Sequence, residues 1–136
     1  MHSLEIEVRT GGAARVADLT DRCGRFLHES GAREGLLNVL VPHATAGLAV
    51  IETGAGSDDD LLSALDGLLP RDDRWVHQHG TPGHGRDHVV PAFLTPSVTL
   101  PVLGGALALG TWQHLCLVDT NVDNPVRQVR LSFLAA

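Results

Sequence analysis

The chain has no lysine and no tyrosine, only two cysteines, and no apolar run of the roughly 18 residues that a membrane-crossing helix needs. Each shortage excludes something. Arginine supplies all ten positive side chains, scattered singly, against 16 acidic ones and a formal net charge of -6. That leaves no basic stripe of the kind a nucleic-acid surface requires. Aromatic residues make up 4% of the chain, too few for a base-stacking platform. Cys23 and Cys116 lie far apart inside apolar stretches and read as buried small hydrophobes in a reducing compartment. The opening MHSLEIEVRT alternates charged and apolar residues and lacks a basic start followed by an apolar stretch, so no signal peptide is expected. These absences together predict a cytoplasmic protein with neither nucleic acid nor membrane as partner.

What is present is apolar material and histidine. With 136 residues, 43% of them hydrophobic, residues 1–136 are expected to form one domain with a real core. There are eight histidines, and four of them fall between Val76 and Val89.

Leu4, Ile6 and Val8 alternate with Glu5, Glu7 and Arg9, the pattern of a half-buried strand. From about Asp18 to Ser30, Leu19, Cys23, Phe26 and Leu27 recur at helical spacing, and Gly31 supplies a left-handed stop. Leu36 to Val41 and Leu48 to Ile51 read as buried strands joined through His43–Gly47. Ser57 and Asp58–Asp60 open a second helix that ends before Pro70. Arg71 to Asp87 is polar and histidine-rich, too long for a simple connection. Strands are expected at Val98–Val102, Leu107–Leu109, Leu115–Val118 and Val126–Leu134, with Gly104-Gly105 as a hairpin turn and Asp119–Pro125 as a longer loop. The sum is an α+β fold: a mainly antiparallel, two-sheet, β-sandwich-like core with two or three helices.

Several residues have the character of a site. His77, His79, His84 and His88, with His43 on a separate turn, are candidate metal ligands, acid/base groups, or simply solvated loop histidines. His77 and His79 alternate, so an extended segment would turn only one of them inward. Glu52, where an apolar strand meets a loop, is a candidate base or metal ligand, or a strand-end carboxylate in solvent. Asp58–Asp60 resembles a magnesium cluster, but acidic residues in a helix's first turn also complement its dipole. Trp112 and Gln113 offer a flat wall beside an amide, and Arg127 offers a bidentate phosphate contact.

Taken in order, these residues resemble the YjbQ-like family, the group named for a secondary thiamine-phosphate synthase activity. The resemblance rests on Ser97–Val102, Gly104-Gly105 and Leu107–Gln113. It rests also on His43-x-Thr45-Ala46-Gly47-Leu48 with Glu52, the acidic Asp58–Asp60, the pair Trp75 and His77, and His88. It implies a homotrimer whose substrate is a small phosphorylated molecule. The implied reaction joins a pyrimidine methyl diphosphate to a thiazole phosphate and releases pyrophosphate. It further implies that His43, His77 and His88 converge on a divalent ion, zinc or magnesium, while His79 and His84 remain solvated. His43, Glu52 and Asp119 would be catalytic, and Thr45, Gly47, Trp112, Gln113 and Arg127 would contact the substrate. The chain departs from the family pattern at Ala44 (usually Thr), Ile51 (Asn), Val90 (Lys) and His114 (Gly). The change at Val90 removes a phosphate contact.

Overall fold

The alternation at the N-terminus becomes strand β1 (His2–Arg9) in the computed structural model, which describes residues 1–136. β1 pairs antiparallel with the C-terminal strand β8 (Val126–Ala135), whose Arg127, Val129, Leu131 and Phe133 all point inward at period two. With β3 (Gly35–Leu40), β5 (Ser97–Leu103) and β6 (Ala106–Leu107) they form a five-stranded sheet in the order β1-β8-β3-β5-β6. A second sheet has the order β2-β7-β4, from β2 (Arg15–Asp18), β7 (His114–Asp119) and β4 (Ala46–Ile51). Every ladder in both sheets is antiparallel.

Strand β7 is buried continuously from Leu115 to Asp119 because both its faces are covered. Leu115 and Leu117 enter the main core with Leu37, Val39, Leu131 and the inner face of helix α1 (Thr20–Glu29). Val118 belongs to a second cluster with Leu65, Leu69 and Val90, beneath helix α2 (Ser57–Leu68). Each such side chain contributes about 1.5–3 kcal/mol on burial, which anchors the end of β7 from two sides. Of two single-turn helices, α3 (His84–Asp87) closes the histidine-rich segment and α4 (Val90–Phe93) follows it.

The structure departs from the sequence reading in detail. Arg15–Asp18 is a strand paired with Cys116–Asp119, so the first helix begins at Thr20 and not at Asp18. Its short length hid its period. The sixth strand stops at Leu107, short of Leu109. The turn before it is as expected: Gly104 and Gly105 have φ of 59° and 85°, the double left-handed conformation of a tight hairpin. Ser57 lies inside α2, with no side-chain cap ahead of it, and Asp58–Asp60 occupy its first turn.

Candidate metal centre

The histidine-rich segment is held in place by one buried carboxylate. Asp87, wholly inaccessible, accepts hydrogen bonds from Arg71 (2.8 and 3.2 Å), Thr120 Oγ1 (2.7 Å) and Asn121 Nδ2 (3.1 Å). Burial alone would raise its pKa. The donors, Arg71 foremost, outweigh that and hold it below the ordinary carboxylate value. Arg71 also donates to the Thr120 carbonyl (2.7 Å), and Arg86 donates to the Leu69 carbonyl (2.9 Å) at the end of α2. Gly85 completes the seat. A Cβ there would collide with the His77 carbonyl and stand 2.6 Å from Trp75 Cβ, so only glycine lets α3 lie against residues 75–77.

This seating brings four imidazoles together. The ligand atoms of His77, His79, His84 and His88 all lie within 4.8 Å of one another. His84 and His88, one helical turn apart, face each other with their Nε2 atoms 2.9 Å apart. Adjacent rings stand at centroid distances of 4.3 Å (His77–His79 and His77–His88) and 4.4 Å (His79–His84). His84 is buried and His88 half-buried, while His77 and His79 are exposed toward a cleft of about 360 Å³. Burial, and then the charges of the neighbouring imidazoles, push the pKa of His88 down and favour its neutral, ligating form. The cleft walls include Asp72 and Asp73 but no arginine.

The set that converges differs from the expected one. His77 and His88 are in it. His43 is not among the four, and the two histidines assigned to solvent, His79 and His84, take its place. Both His77 and His79 turn toward the cluster because residues 75–80 are irregular and do not alternate as a strand would. The i, i+4 spacing of His84 and His88 was the available signal. His43 Nε2 instead accepts the Gln128 amide (2.9 Å). Burial, followed by the Arg127 charge, lowers its pKa.

Most of the other expected site residues perform internal tasks. Asp119 and Arg127 are both buried and paired with each other, and Arg127 Nη2 donates to Thr45 Oγ1 (2.8 Å). The predicted phosphate-binding guanidinium is therefore already engaged by a carboxylate. Gly47 packs beneath α4, where a Cβ would stand 3.1 Å from Leu94 Cβ and 3.3 Å from the Thr95 carbonyl. Gln113 Oε1 accepts the Gly110 amide (2.8 Å), and Trp112 is 71% exposed, so the two close a surface turn and do not wall the histidine cleft. Glu52 lies exposed beyond the end of β4. Val90 is wholly buried in the second cluster, so that position offers no phosphate contact here.

The donor set fits a transition-type divalent ion. Two nitrogens on one zinc stand roughly 3.3 Å apart at bond lengths near 2.0–2.1 Å, and the four donor atoms here are gathered within 4.8 Å. Imidazole suits zinc, nickel, copper or iron, whereas magnesium calls for oxygen ligands. Of the two expected ions, zinc suits these residues.

A family model described as "UPF0047 protein YjbQ-like" matches residues 4–136. A UPF0047 protein of Mycobacterium tuberculosis is 61% identical over 120 residues, covering 88% of this chain and 89% of that protein. Another, from Methanothermobacter thermautotrophicus, is 30% identical, covering 97% of this chain and 91% of that protein. Among solved structures, a hypothetical protein of Aeropyrum pernix superposes with a TM-score of 0.90 at 31% identity, over 100% of both chains. A YbjQ-like protein of unknown function from Sulfolobus solfataricus superposes with a TM-score of 0.92 at 25% identity, over 99% of this chain and 97% of the other.

Proposed function

The chain belongs to the UPF0047 protein YjbQ-like family, and we propose that it is a divalent-metal-dependent enzyme acting on a small phosphorylated substrate at the cleft beside the four-histidine cluster. The observation that carries this reading is the convergence of four imidazole donors, all within 4.8 Å, three of which (His77, His79 and His84) line an open cleft. A bound ion supplies positive charge and Lewis acidity against a phosphoryl oxygen. His84 and His88 sit on α3 and at its end, so their positions are set by the Asp87 network. His77 and His79 face the cleft and are free to adjust to a substrate. Trp75, half-buried, contributes apolar surface to the same wall.

The specific reaction is the one the family resemblance implies, thiamine phosphate synthesis from a pyrimidine methyl diphosphate and a thiazole phosphate. The cleft offers no arginine, so neutralisation of the departing diphosphate falls to the ion and the imidazoles. That feature also favours a second reading, hydrolysis of a substrate carrying a single phosphate or ester group, which asks less of the surrounding charge. No helix is long and apolar enough to cross a membrane. A cytoplasmic location belongs to the proposal, supported by two unpaired buried thiols. So does a homotrimer, supported by exposed Leu36, Leu103 and Leu134, which invite cover by another subunit. Sedimentation analysis tests the assembly.

The functional test is metal content followed by turnover. Untagged protein is expected to hold near-stoichiometric zinc, and a His77→Ala/His84→Ala/His88→Ala variant none. Metal-loaded protein then receives either the two synthase substrates or a panel of phosphomonoesters and esters. Thiamine phosphate formation supports the first reading, and phosphate or alcohol release supports the second. A stoichiometric ion with no turnover of either set overturns the enzyme reading in favour of metal binding alone.

A further inference from the structure

The loop after β7 touches the histidine cluster through one side chain. Asp123 Oδ2 stands 2.7 Å from His84 Nδ1, the ring nitrogen not turned toward His88. The same oxygen accepts from Thr81 Oγ1 (3.1 Å) and from the Thr81 amide (3.3 Å), so it is held and not merely nearby. Gly80 makes room for it. A Cβ there would stand 2.7 Å from Asp123 Oδ2 and 3.2 Å from His84 Nδ1.

Which His84 nitrogen carries the proton follows from these partners. An ionised carboxylate only accepts, so Nδ1 facing it at 2.7 Å must be the N–H. Asn121 Nδ2 is the other neighbour of Nδ1, at 3.1 Å. That amide's orientation is set independently, because its Oδ1 accepts from the Asp123 and Asn124 amides and its Nδ2 donates to Asp87. It therefore presents N–H to His84 and competes for an unprotonated Nδ1. The shorter, charge-assisted contact to Asp123 prevails over this neutral one. With Nδ1 protonated, His84 Nε2 is left as a lone pair, aimed at His88 Nε2 2.9 Å away.

We propose that Asp123 is a positioning residue: it fixes His84 in the Nδ1–H tautomer and aims the Nε2 lone pair at the four-histidine cluster as a metal donor. Its value for metal affinity rests on the metal-binding reading above, whereas its effect on the tautomer does not. A carboxylate behind a ligating imidazole orients the ring and raises its basicity, and losing such a partner weakens metal affinity by about 10–100-fold.

The test uses the whole chain with two independent readouts. Long-range ¹H–¹⁵N spectra of the metal-free protein, recorded above the imidazole titration range, are expected to show His84 as Nδ1–H. Asp123→Ala should lose that single tautomer, and Asp123→Asn, which keeps an acceptor oxygen, should retain much of it. Zinc titration should then show affinity weakened about 10–100-fold in Asp123→Ala, with partial recovery in Asp123→Asn. A residue with only a structural role would lower the unfolding midpoint without moving either readout. The Nε2–H form in the parent, or an unchanged tautomer in Asp123→Ala, overturns the assignment. If the tautomer moves but zinc affinity does not, Asp123 does not serve the metal site. Absence of zinc binding in the parent would strike down the metal reading, while the spectra would still judge the tautomer.

Discussion

Asp119 and Arg127 lie side by side in the interior, Nε to Oδ2 at 2.7 Å and Nη2 to Oδ1 at 2.9 Å, with side chains 0% and 1% exposed. Thr10 Oγ1 (2.9 Å) and the Asn121 amide (3.0 Å) donate to the same carboxylate. The pair joins the end of β7 to β8 at the base of the loop that carries Asn121 and Asp123.

Removing one partner leaves a buried charge alone. Asp119→Ala is expected to cost about 3–5 kcal/mol, read as a fall in Tm of roughly 10–15 °C. A loss below about 1 kcal/mol would mean that the pair is far more solvated than its burial indicates.

Gly85 tests the seating of the histidines. Gly85→Ala must displace both the His77 carbonyl and Trp75, so it should weaken zinc binding even in molecules that remain folded. Gly67→Ala, whose new Cβ meets nothing, serves as the control. Equal zinc affinity in both variants would separate α3 seating from the metal site.

His43 gives a pH dependence whose sign is fixed. Burial and the Arg127 charge lower its folded pKa below the unfolded value of 6.5. Its contribution is therefore present above that value and lost as pH falls toward the folded pKa, because the unfolded chain takes up the proton first. Comparing denaturant unfolding of the parent and His43→Gln between neutral and mildly acidic pH should show the steeper loss in the parent. Parallel curves would contradict the shift.

Cys23 and Cys116 are both buried, and burial followed by the Asp18 charge pushes each thiol from 9.0 to about 12. The native protein should resist alkylation at neutral pH, and both thiols should react once it unfolds. The linkage runs toward alkali: stability from these groups is complete below 9.0 and declines as pH rises toward 12, because the unfolded thiols ionise first. Rapid native alkylation of either thiol would show that its burial is not maintained in solution.

What the amino-acid order determined by itself was whatever has a local period. Leu4, Ile6 and Val8 alternate, so β1 was legible. Gly104-Gly105 demands positive φ, so the hairpin was legible, and Cys23, Phe26 and Leu27 marked the buried face of α1. The family motif pointed to His77 and His88 but placed His43 with them and left His79 and His84 in solvent. Only the tertiary structure decided that membership, because residues 71–83 have no repeating geometry from which a ring's direction can be read. It likewise turned Arg127 from a surface phosphate ligand into the partner of Asp119, since an arginine on a strand looks the same whichever face is covered. Asp123 and His84 are 39 residues apart in sequence. Their contact exists because β7, buried on both faces, delivers its loop beside α3, and no local pattern encodes a meeting of that kind.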